Sequence, residues 1–148
     1  MIEELIVILL LTGINVILTM ITFPVKDFPI GITPIMFVTV LGGYYTTPMI
    51  GFFFGAFTCL LSYTILLKFK NYIFLYVPLY GVMGFIAGLM TFMPVETIGM
   101  ILTWLYTFIS VALVILVFGG DFTQCIPFAV SYIFTNHILF NSLLKMVI

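Results

Sequence analysis

Five carboxylates, four lysines and one histidine are the ionisable side chains, tyrosines and cysteines aside, in a chain of 148 residues. The carboxylates are Glu3, Glu4, Asp27, Glu96 and Asp121, all at the N-terminus or in stretches that read as loops. A proton-coupled carrier usually keeps a carboxylate at mid-membrane, where its pKa is shifted and its charge can move. A proton-driven antiporter is therefore a poor reading. None of Lys26, Lys68, Lys70 and Lys145 precedes a Ser or Thr, which excludes a Walker-type phosphate loop and with it a standard P-loop ATPase. His137 has no second His or Cys at ligand spacing, and Cys59 and Cys125 sit in separate apolar segments as small core residues. No metal or cofactor is expected. No pair of side chains offers credible catalysis, so the chain does not read as an enzyme.

What remains is neutral donors, acceptors and aromatic faces. Thr12, Asn15, Thr19 and Thr22 share one side at helical spacing, and Gly99, Thr103, Tyr106, Thr107 and Ser110 share another. Near the C-terminus Gln124, Ser131, Tyr132, Thr135 and Asn136 cover one arc, while His137, Asn141 and Lys145 line up four residues apart on the other. Tyr72, Tyr76 and Tyr80 recur every four residues and run on into Gly84 and Gly88. Gly51, Gly55, Cys59 and Tyr63 form a similar row. Glycines spaced this way let two helix backbones approach closely in lipid. Amides and a histidine inside a membrane need partners, so the polar faces point into a bundle or at another protein. For the tyrosines, packing and stacking on a flat ligand are equal readings.

The elements that must position these groups follow from composition. Hydrophobic residues make up 64% and charged residues 6%, with a mean hydropathy of +1.40. A soluble domain carries about 25% charged residues. The expected solvent is therefore lipid, where every backbone polar group must be paired internally and only helices or a closed barrel serve. The apolar runs are long and unbroken, which selects helices. An all-α membrane protein results, a single domain over 1–148 with about six transmembrane helices. They are expected near 5–23, 33–45, 48–67, 72–92 with a kink at Pro78, from the break at 93–96 on to 118, and 123–147. The second and third could instead be one broken crossing, but the Gly42-Gly43 to Pro48 break fits a helical hairpin better. Residues 2–23 open with Glu3 and Glu4 rather than a basic region, which reads as a retained helix and not a signal peptide. Net charge is −1 and there is no arginine, so a nucleic-acid partner is not expected.

Gly31-Ile-Thr-Pro-Ile-Met-Phe-Val-Thr-Val-Leu-Gly-Gly43, a short turn, and then Pro48-Met-Ile-Gly-Phe-Phe-Phe-Gly55 resemble the substrate-binding (S) components of energy-coupling factor vitamin transporters. The stretch from Pro78 to Leu89, with Gly84 and Gly88, is similar to that family's fourth helix, and the polar last helix ending Asn141-Ser-Leu-Leu-Lys145 matches too. The resemblance implies a subunit that captures a small vitamin-like solute and has no ATP site of its own. Energy would come from two ATPase subunits through a transmembrane coupling subunit, with the S component tilting in the bilayer. The family often docks through Ala-x-x-x-Ala on its first helix. Here that helix has no alanine, and docking is expected instead at Gly13, Gly51 and Gly55.

The family also places both termini in the cytoplasm. Lysine distribution argues the reverse, since Lys26, Lys68 and Lys70 share one side and Lys145 lies on the other. With the family's orientation, the outer helix halves supply a pocket of Asn15, Thr19, Tyr72, Tyr76, Tyr80, Gln124, Tyr132, Thr135 and Asn136, with Lys26 at its rim. Without arginine there is no bidentate grip on phosphate or carboxylate, so the expected ligand is small, flat, and neutral or weakly charged. His137 points away from this arc. The competing reading is a non-transport membrane scaffold of the rod-shape-determining type with the same six helices.

Overall fold

The computed structural model describes residues 2–20, 34–65 and 73–143. They form six helices: α1 (Ile2–Met20), α2 (Ile35–Tyr44), α3 (Pro48–Ile65), α4 (Ile73–Leu89), α5 (Val95–Phe118) and α6 (Phe122–Ile138). α6 continues into a π-helical turn, Leu139–Leu143. No strand occurs among the described residues, so the fold is all α, as expected. The expected loops at 24–32 and 68–71 lie outside the described residues.

Helix lengths depart from the expectation of full crossings. α5, with 24 residues and mean hydropathy 2.5, is long and apolar enough to cross a membrane. At 1.5 Å per residue it reaches about 36 Å, against a hydrocarbon core of about 30 Å. Ile6–Ile17, Ile35–Tyr44, Pro48–Thr64 and Ile73–Leu89 are apolar but shorter. α4 stops at Leu89, short of the expected 92, because a turn closed by Met93 N–H on the Met90 carbonyl at 3.0 Å leads into Pro94.

α2 sits at the centre. Every residue from Ile35 to Gly43 is buried, and the helix contacts α1, α3, α4 and α5. With Thr39 the one polar residue between Ile35 and Gly43, the helix has no broad polar face to give to water, and burial all round is what its sequence demands. Its turn into α3 forms where Gly42-Gly43 and Pro48 mark the break, with the Thr46 hydroxyl donating to the Gly42 carbonyl. The expected hairpin is present.

α2, α3 and α4 meet backbone to backbone. A Cβ on Gly43 or Gly51 would strike the Gly84 carbonyl, one on Gly84 the Gly51 carbonyl, and one on Gly55 the Tyr80 carbonyl. Small residues thus set the seam, as the glycine rows imply. This corrects the expected docking surface: Gly51 and Gly55 are buried against the chain's own α4, which leaves no room for a partner's helix. Gly13 has nothing within 4 Å of its Cβ position and lies on an exposed face of α1.

Large apolar side chains point outward on five helices, among them Leu9, Phe53, Phe74, Phe108 and Phe134, each at least 63% exposed.

Candidate functional site

The polar faces of α4, α5 and α6 converge on a buried group of tyrosines. Tyr76 and Tyr80 lie one turn apart on α4, Tyr106 comes from α5 and Tyr132 from α6, and all four are buried. The Tyr80 and Tyr132 hydroxyls share a hydrogen bond of 2.8 Å. Ser110, one turn beyond Tyr106, donates to the Tyr76 hydroxyl at 3.3 Å. Tyr106 sits between its neighbours, with ring centroids 4.5 Å from Tyr80 and 5.1 Å from Tyr132, tilted by 33° and 32°. Phe128 extends the run, 5.6 Å from Tyr132 at 28°. Each ring is thus inclined by about 30° to the next, in offset contact rather than face to face, an arrangement that suits their quadrupoles.

α5 can present this face because its other polar groups are satisfied locally. The Thr103 and Thr107 hydroxyls each donate to the carbonyl four residues back, at 2.7 Å. The face is then free for Tyr106 and Ser110. Asn136 stands one turn beyond Tyr132 on α6, with no exposed surface. Its Nδ2 donates to the Tyr132 carbonyl at 2.9 Å, and its Oδ1 has no partner among the described residues.

Of the pocket read from sequence, Tyr76, Tyr80, Tyr132 and Asn136 come together or lie a turn apart. Asn15 does not join them. It is buried between α1 and α3, where its Nδ2 donates to the Ser62 hydroxyl at 3.0 Å. Thr135 is half-buried on α6. Lys26 and Tyr72 lie outside the described residues, and so do the side chains of Thr19 and Gln124. Tyr106, Ser110 and Ser62 were not in the pocket read from sequence. The first two were legible as part of the α5 polar face.

No charged side chain is among the buried groups of the described residues, so what the cluster offers is aromatic faces and neutral hydroxyls and amides. Among the described residues no group of three His, Cys, Asp or Glu could hold a metal. A separate open groove of about 480 Å³ lies on the outside of α5 and α6, lined by Trp104, Phe134, His137 and Asn141 among others. No protein-family model, curated protein or solved structure matches the chain. The likeness to S components thus stands on the residues quoted for it.

Proposed function

We propose that the chain is the substrate-binding membrane subunit of an energy-coupling factor type importer. In this reading it is a multi-pass protein of the cell membrane with cytoplasmic termini, and it holds a small vitamin-like solute against the tyrosine cluster. The observation that carries the reading is the neutral, aromatic, hydrogen-bonding interior of Tyr76, Tyr80, Tyr106, Tyr132 and Asn136 inside an apolar bundle. Membrane pockets for small ligands are built in that way, from apolar walls and a few placed polar groups. The outward-facing Leu9, Phe53, Phe74, Phe108 and Phe134, on five different helices, support a lipid surround, since large apolar side chains are mostly inside in a soluble protein. Energy would come from two ATPase subunits through a coupling subunit. The open face of α1 around Gly13 is the docking surface left once α4 has covered Gly51 and Gly55.

A scaffold of the rod-shape-determining type is the second reading. The outer α5/α6 groove favours it, because Trp104 and His137 stand exposed where a partner could seat. Purifying the full chain and identifying by mass spectrometry what small molecule accompanies it separates the two. A flat neutral solute retained by the wild type and lost on Tyr80→Phe supports transport. Retention of proteins with no small molecule supports the scaffold. Co-expression with a coupling subunit and its ATPases should give a complex that Gly13→Leu weakens.

A further inference from the structure

Two buried polar atoms have no hydrogen-bond partner among the described residues, Thr39 Oγ1 and Asn136 Oδ1. They differ in what rotation can do for them. A helical threonine hydroxyl can turn to the carbonyl four residues back, as Thr12, Thr64, Thr103 and Thr107 do here. For Thr39 that carbonyl is Ile35's, and reaching it takes a χ1 turn that moves Cγ2 out of its contact with the Gly55 and Gly84 positions, so its unmet hydroxyl belongs to the glycine seam. Asn136 has no such option. Its Nδ2 already donates to the Tyr132 carbonyl at 2.9 Å. Flipping the amide would set Oδ1 against that carbonyl and leave Nδ2 unpartnered, exchanging one unmet group for two. The orientation is therefore fixed, and the unmet group is an acceptor.

A buried acceptor left unmet is costly, and the cost is recovered only by a donor. Lys and Arg are absent from the buried set, so nothing there prefers an ionised ligand. One turn away, Tyr132 ends in a hydroxyl bonded to Tyr80 and carries a ring in contact with those of Tyr106 and Phe128. We infer that Asn136 Oδ1 is the specificity-determining acceptor of this site, taking a hydrogen bond from an N–H or O–H on the edge of a flat, uncharged ring that lies against the tyrosines. The inference rests on the binding role proposed above and adds to it the chemical class that the site selects.

The test uses the full chain in nanodiscs and probes that differ by one donor: indole with N-methylindole, and phthalimide with N-methylphthalimide. Skatole adds a methyl to indole while keeping the N–H, which separates loss of the donor from added bulk. Each N–H compound should bind at least about tenfold tighter than its N-methyl partner, because a site built around a hydrogen bond rejects the analogue that lacks it. Skatole should stay within about threefold of indole, and Asn136→Leu should shrink each gap to about twofold or less. If Asn136→Leu does not fold, the wild-type comparison with skatole decides alone. Equal binding of both members of each pair overturns donor selection and leaves the binding role standing. Binding of no probe at all overturns the inference, while the small molecule found by mass spectrometry decides the binding role separately.

Discussion

α4 belongs to two interfaces built on opposite principles. Toward α2 and α3 it presents Gly84 and Gly88, and the helices meet through backbone. Toward α5 and α6 it presents Tyr76 and Tyr80, and the helices meet through rings and hydroxyls. In the lipid surround proposed above there would be little hydrophobic force between helices, and close van der Waals fit or hydrogen bonds would have to hold them. The glycine seam uses the first and the tyrosine cluster the second. A backbone contact cannot yield to an added atom. A ring can turn about two torsions, and a hydroxyl can change partner. The seam should therefore tolerate change poorly and the cluster better, which is the property a binding site needs.

The sharpest break of that comparison is Gly84→Ala. The new Cβ meets the Gly51 backbone carbonyl, and Gly51 has no flexible side chain that could move aside. Overpacking of this kind should cost about 3 kcal/mol, the upper part of its usual range. Thermal unfolding in detergent measures it. On the other face, Tyr132→Phe keeps the ring run and removes one hydroxyl from the Tyr80 pair. That should cost about 1 kcal/mol, since single interhelical hydrogen bonds in membranes are modest. If Tyr132→Phe proves as destabilising as Gly84→Ala, the distinction between a rigid seam and an adjustable cluster fails.

Both interfaces were partly legible in the sequence, and for a shared reason. A repeat of four residues reports that side chains share a helix face, so the rows Gly51/Gly55 and Tyr76/Tyr80 are visible in the sequence. A repeat does not report what the face meets. The sequence suggests Gly51 and Gly55 as a surface for a partner's helix, whereas α4 of the same chain covers them. Close approach requires a neighbour without saying whose it is. Asn15 is likewise expected beside the tyrosines, whereas on α1 it faces Ser62 of α3. The hairpin of α2 and α3 came through intact because Gly42-Gly43 and Pro48 act locally. The π-helical turn at Leu139–Leu143 has no glycine or proline to mark it, and the expected helix ran straight through.

The smallest expected effect lies at the exposed end of the cluster's side, where α5 passes into α6. Gly119, with φ of 64°, ends α5 in the left-handed region that favours glycine, and Asp121 caps α6. The Asp121 carboxyl accepts from the Thr123 hydroxyl at 2.7 Å and from the Thr123 N–H at 3.0 Å. These bonds, the hydroxyl first, hold its pKa below the ordinary carboxylate value. A depressed folded pKa stabilises the fold above the unfolded value, near pH 4, and that contribution is lost as pH falls through the folded value. Asp121→Asn keeps an oxygen for the Thr123 N–H but removes the titration. The wild type should therefore lose slightly more stability than Asp121→Asn below about pH 4. Trp104 is the single tryptophan, on α5 and stacked on Phe108 at 5.9 Å, so its emission follows unfolding of the bundle. The acid-dependent difference between the two proteins should appear in that emission, and Gly84→Ala should leave the difference unchanged. An acid response identical in wild type and Asp121→Asn would place the titrating group elsewhere.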